Sequence, residues 1–168
     1  MTDKKGRAPQ HATAPRLVMQ RTFRAGIDSV WALWTTPDGL EKWWGPNGFE
    51  LKVRKLDLRP GGELWYAMTA TAPAQVDRTT KAGLPLTIEI HATYTEVVPQ
   101  RRLAFTQPTD FIPGVAPYII ETGVDLYTTG QGVRMVLTFD AMHSEEWTQR
   151  AVATWESELS RLSVVLGK

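Results

Sequence analysis

Between Phe49 and Asp140 apolar and polar side chains alternate with a period of two, and one apolar stripe at helical spacing then runs from Trp147 to Leu166. Phe49, Leu51 and Val53 alternate with Glu50, Lys52 and Arg54. After the turn Arg59-Pro60-Gly61-Gly62, Leu64, Tyr66 and Met68 alternate with Glu63 and Trp65. Leu86, Ile88, Ile90, Ala92 and Tyr94 face away from Thr87, Glu89, His91 and Thr93. Leu103 and Phe105 follow the turn Pro99-Gln100-Arg101, then the stripe Tyr118, Ile120, Thr122, Val124 and Leu126. Gly130-Gln131-Gly132 makes a hairpin turn to Met135, Leu137 and Phe139. Strands with one buried and one wet face build an antiparallel sheet covered on one side. The cover is the final stripe of Trp147, Ala151, Trp155, Leu159, Leu162 and Leu166. It begins at Ser144-Glu145-Glu146 and ends at Gly167, with Glu156, Glu158 and Arg161 placed off it.

Upstream, Leu17, Met19, Arg21 and Phe23 alternate in a first strand over Arg16–Arg24. Ile27, Val30, Trp31 and Trp34 mark one short helix. Thr36-Pro37 starts a second, with Leu40, Trp43 and Trp44 on one face, and Gly45-Pro46 stops it. Residues 1–15 (MTDKKGRAPQHATAP) show neither period and are expected to be a disordered tail that includes His11. The expected fold class is therefore α+β. A curved antiparallel sheet of about six to seven strands wraps one long C-terminal helix, two short helices follow the first strand, and one domain spans 16–168.

A chain of 168 residues fits a single domain with a sizeable core. Lys and Arg number 19 against 18 Asp and Glu, a formal balance of +1. Residues 1–16 hold four of the bases (Lys4, Lys5, Arg7, Arg16) and one acid (Asp3), leaving 15 basic and 17 acidic side chains in the body. Such a body lacks the basic face of a nucleic-acid binder. The absence of cysteine excludes disulfides, thiolate catalysis and cysteine-ligated metals. No apolar run reaches membrane-spanning length, and the N-terminus lacks the apolar segment of a signal peptide, so a cytoplasmic location without membrane contact is expected.

The words at the joints carry a resemblance. Val30-Trp31-Ala32-Leu33-Trp34-Thr35-Thr36-Pro37, with Lys42-Trp43-Trp44-Gly45-Pro46 and Gly48-Phe49, resembles a V-W-x-x-W-T-x-P…W-W-G-P signature. Leu56–Gly62 resembles the strand-turn word of the same group. Glu96–Phe105 is similar to its E-V-V-P-x-x-R-L-x-F hairpin, and Ala153–Leu162 to the start of its closing helix. The group is the START-like (SRPBCC, birch-pollen-allergen-like) superfamily, in its activator of heat-shock-protein-90 ATPase homologue branch. The resemblance covers roughly 16–166 and implies a helix-grip fold with a cavity between sheet and helix. Two segments, Ala70–Pro85 and Gln107–Pro117, are longer than the resemblance leads one to expect, and loops near a pocket mouth decide what enters.

Catalytic signatures are absent. His91 falls on a wet strand face and His143 in the loop before the last helix. There is no H-E-x-x-H, no G-x-S-x-G and no phosphate-cradling glycine loop, so neither a metal nor a cofactor is expected. Glu121 and Asp125 share a face, but it is opposite the Ile120/Val124 stripe. Glu63 and Glu89 also read outward, and Asp140 closes its strand. The seven tryptophans, five phenylalanines and four tyrosines belong mostly to buried faces.

The inward stripes would wall a pocket. The candidate ligand-binding residues are Trp34, Trp44, Tyr66, Met68, Ile90, Tyr94, Phe105, Ile120, Thr122, Met135, Leu137, Trp155 and Leu159. Such a wall is apolar with a few polar tips, which suits a small-molecule site. The expected function is binding of a hydrophobic or lipid-like small molecule without chemistry. The first alternative is a co-chaperone-like protein partner role, for which Phe111, Ile112 and Val115 could supply an exposed patch. The second is a cyclase, aromatase or hydratase type of enzyme using Tyr66, Tyr94 or Glu121. An edge strand or exposed loop leaves a homodimer open.

Overall fold

The computed structural model describes residues 15–110 and 112–167. Apart from Pro15, the expected tail with His11 lies outside them, as does Phe111. Seven strands form one antiparallel sheet: β1 Arg16–Phe23, β2 Phe49–Leu56, β3 Glu63–Ala70, β4 Thr87–Val98, β5 Arg102–Thr109, β6 Tyr118–Thr129 and β7 Gly132–Asp140. Their order across the sheet is β1-β7-β6-β5-β4-β3-β2. Register shifts at Val53/Lys55 and Tyr94/Glu96 interrupt the ladders, the kind of irregularity that bends strands and increases their twist.

Two short helices carry the chain from β1, at one edge, to β2 at the other: α1 Ile27–Thr35 and α2 Pro37–Trp43. The Thr36 side chain caps α2 by accepting from the Gly39 N–H at 2.9 Å, and Pro37 occupies the first helical turn. Gly39 is where the two helices touch. A Cβ there would lie 2.4 Å from the Ala32 carbonyl oxygen and 2.7 Å from Leu33 Cα.

The sequence places a loop between β3 and β4, yet the structure puts a third short helix there, α3 Pro73–Lys81. Its residues PAQVDRTTK carry no apolar stripe and none is buried, so periodicity has nothing to report. The expected extended segment at Gln107–Pro117 also starts late. β5 continues through Pro108, paired with Ile119, to Thr109. That proline removes a donor without ending the strand.

The long helix, α4 Glu145–Val165, covers the inner face of the sheet. Ser144 caps it by accepting from the Trp147 N–H at 3.2 Å, and Gly167 follows it with φ +86°. Phe23, Val30, Trp43, Val133, Met135, Leu137, Leu159 and Leu162 are fully enclosed where α1, α2 and α4 meet the sheet. No described helix is long and apolar enough to cross a membrane.

Candidate functional site

A cavity of about 330 Å³ lies between the sheet and α4. Aromatic rings surround its inner part. Trp44, just after α2, and Trp155 of α4 line it together with Tyr66 of β3 and Phe105 of β5. The Trp44 ring centroid is 5.6 Å from those of Tyr66 and Phe105 and 6.2 Å from that of Trp155. Met68, Ile120 and Thr122 extend the wall along the strands. These seven of the sequence-predicted residues are brought together.

The other six are not. Trp34, Ile90, Tyr94, Met135, Leu137 and Leu159 are buried in solid core, away from the cavity lining. Period-two alternation reports which face of a strand is covered, but not how far along it the helices rest directly on the sheet. Trp34 is packed against Trp155 at 6.2 Å and edge-on to Trp43 at 4.7 Å. Tyr94 stands edge-on to Phe105 at 6.5 Å. Burial pushes the Tyr94 hydroxyl well above its ordinary pKa, and among the described residues it has no hydrogen-bond partner. Leu159, one turn after Trp155, marks where the cavity gives way to packed core.

Sequence reading missed one functional-looking side chain, Glu158. Placed off the stripe as a charged residue, it is only 4% exposed and lines the cavity. The signal was present. Glu158 stands three residues after Trp155, four before Leu162 and seven after Ala151, which is the buried face of α4. Its Oε2 accepts a 3.0 Å hydrogen bond from the Gly45 N–H. Gly45 adopts φ +106°, a backbone conformation that favours glycine. Burial raises the Glu158 pKa to about 8, against the lowering effects of the Gly45 N–H and the Arg161 charge. Arg161 itself donates to the carbonyls of Trp43 and Gly45 and to Asn47 Oδ1.

Other polar groups mark the wall. The Tyr66 hydroxyl donates to Gln107 Oε1 at 3.3 Å. Burial, and secondarily the Glu158 charge, raises its pKa far above the ordinary phenol value. Gln107 and Thr109 continue the inward stripe of Phe105 at every second residue, a polar extension visible in the alternation. Asp140 also lines the cavity, with Oδ2 accepting from the Glu121 N–H at 2.9 Å and Oδ1 lying 3.6 Å from Arg16 Nε. Arg150 sits over the Trp147 ring at 4.7 Å and bonds Glu146 at 3.0 Å. Leu84, Pro85 and Leu86, from the short connection between α3 and β4, complete the lining on the strand side.

The residues read as outward do face out. His91 Nδ1 approaches Glu63 Oε2 to 2.5 Å, and its ring stacks on Trp65 at 4.9 Å. Glu121 pairs with Arg16 and Asp125 with Arg102. Of the three side chains held open for catalysis, only Tyr66 lines the cavity. Ile112, expected in an exposed patch, is 8% exposed and turned inward. Among the described residues no three His, Asp or Glu side chains gather as a metal site.

An open antiparallel sheet gripping one long C-terminal helix defines a START-like helix-grip protein. The chain belongs to the family described as Activator of Hsp90 ATPase homolog 1-like protein, whose sequence profile matches residues 24–167. A crystallised protein of Chromobacterium violaceum superimposes with a TM-score of 0.75 at 22% identity, covering 91% of this chain and 97% of that one. The AHSA1 protein of Silicibacter pomeroyi gives 0.69 at 20% identity, covering 90% and 97%. The AHSA1-like protein of Aeromonas hydrophila gives 0.66 at 20% identity, covering 89% and 90%. At these identities the structural likeness bears on fold alone. No curated protein matches the sequence.

Proposed function

We propose that this chain binds an apolar small molecule in the cavity between the sheet and α4. The observation that carries the reading is the cavity itself. About 330 Å³ lies between the sheet and α4, lined by Trp44, Trp155, Tyr66 and Phe105. That volume falls at the lower end of the roughly 300–1,000 Å³ usual for small-molecule sites, and the apolar wall with few polar tips is their usual chemistry. A protein-partner role remains the family's other theme. The inward turn of Ile112 removes one side chain from the surface patch expected for it.

The test is a fluorescence titration with the neutral apolar probe N-phenyl-1-naphthylamine, alongside mass spectrometry of the purified protein before and after denaturation. Saturable one-to-one probe binding, abolished by Ala151→Trp in the cavity lining, is the expected result. Absence of saturable binding together with absence of any co-purified mass would overturn the reading.

A further inference from the structure

Resting on the reading of the cavity as a ligand site, we propose that the ligand is an apolar amine. Its protonated nitrogen is held by the second oxygen of Glu158 among the rings of Trp44, Trp155, Tyr66 and Phe105. Glu158 occupies a helix position where packing alone calls for Leu or Met, between Trp155 and Leu162 on the covered face. Its Oε2 is taken by the Gly45 N–H, and among the described residues no hydrogen bond satisfies Oε1. Oε1 is not one of the fully enclosed unpaired atoms of the described residues; it borders the open volume, where the head group of a ligand can reach it.

The surroundings favour a cation over the other head groups. Aromatic faces attract cations through the ring quadrupole, and Trp44, Trp155, Tyr66 and Phe105 line the same cavity as Glu158. The second acid in the lining is Asp140. Among the described residues the one cation there, Arg150, is engaged by Glu146 and the Trp147 ring. Arg161, on the same helix as Glu158, is directed to the Trp43 and Gly45 carbonyls and to Asn47. Tyr66, facing Glu158 from β3, donates its proton to Gln107. An anionic head would therefore meet two carboxyl groups.

The proton balance is simple. Burial holds the ligand-free Glu158 toward its protonated form, with a pKa of about 8. When an ammonium group docks, the carboxyl releases its proton to solvent and the carboxylate pairs with the ammonium, so the cavity stays neutral overall. Binding thus releases protons below about pH 8, and affinity rises with pH until Glu158 ionises unaided.

The experiment is calorimetric titration of the intact chain with 4-phenylbutylamine, 4-phenylbutanol and 4-phenylbutyrate in two buffers of different ionisation enthalpy. The expected result is amine binding at least tenfold tighter than alcohol, with proton release for the amine alone. In Glu158→Gln the amine preference disappears while alcohol binding remains. Equal binding of amine and alcohol, or an amine preference that survives Glu158→Gln, overturns the proposal but leaves the pocket standing. A butyrate preference overturns it in favour of an anion met by Arg150. Failure of all three probes overturns the amine, and the naphthylamine titration with mass spectrometry then decides the pocket itself. Proton release is read on the unmodified protein, so the test survives a variant that folds badly.

Discussion

The Gly45 N–H donates to Glu158 Oε2 across 3.0 Å, tying the end of the helical pair to the middle of the closing helix. The contact spans 113 residues of sequence, and the same glycine's carbonyl accepts from Arg161 one turn further along α4. One residue in a left-handed conformation thereby serves both an acid and a base of the same helix. The acid is left beside the cavity, and the base seals the outer side.

Stability should depend on pH through Glu158. Its folded pKa of about 8 stands above the ordinary 4.5, so the folded state holds a proton that the unfolded chain has already lost. The stabilisation is complete below about pH 4.5 and is lost as pH rises through about 8. Glu158→Gln keeps the acceptor for Gly45 and removes the ionisation. Urea unfolding at about pH 5, 7 and 9 should show the wild type weakening relative to the variant at each step. Parallel behaviour of the two proteins would contradict the buried acid.

Two glycines should respond to alanine for different reasons. At Gly45 space exists, with the nearest atom 3.8 Å from the added Cβ, and the cost is backbone strain of about 1–3 kcal/mol. At Gly39 the backbone conformation is ordinary but the Cβ would collide with Ala32 and Leu33 backbone atoms. Overpacking of about 1–3 kcal/mol or more is expected there. Both losses are read as urea midpoints. Only Gly45→Ala should also weaken 4-phenylbutylamine binding, because it alone disturbs Glu158.

Truncation should separate core from cavity wall. Leu159→Ala, at a fully enclosed position, should cost about 2–5 kcal/mol. Ile120→Ala, whose side chain borders existing empty space, should cost distinctly less because fewer packing partners are lost. The comparison is made by equilibrium unfolding, and equal losses would mean that the cavity is closed in solution.

Arg161→Met should destabilise by about 1–3 kcal/mol, since the carbonyls of Trp43 and Gly45 lose their charged donor. It should also raise the pKa of Glu158 further, because the Arg161 charge is one of the two influences holding it down. The drop in stability on raising pH should then shift to higher pH than in the wild type.

Much of this architecture was legible from spacing. The strands announced themselves because each has one covered face, and Thr36-Pro37 and Ser144 marked helix starts that their side chains do cap. The helix at Pro73–Lys81 was silent because it buries nothing. Within the site, alternation found Tyr66, Met68, Phe105, Ile120 and Thr122, and helical spacing found Trp155. Neither could tell that Met135 and Leu137 meet solid packing, for that depends on where α1, α2 and α4 rest on the sheet. Glu158 escapes pattern reading for another reason: a charged side chain reads as solvent-facing even at a position on the covered face of its helix.

The strand order also sets a schedule for synthesis. β1 pairs only with β7, from Arg16↔Asp140 to Phe23↔Val133. Of the seven described strands, the first to be synthesised therefore waits for the seventh before it has a neighbour. At roughly 5–20 residues per second, that wait is roughly 6–23 seconds. During it the alternating face of Leu17, Met19 and Phe23 has no sheet to join, so a nascent chain of this design is most exposed to mispairing at β1.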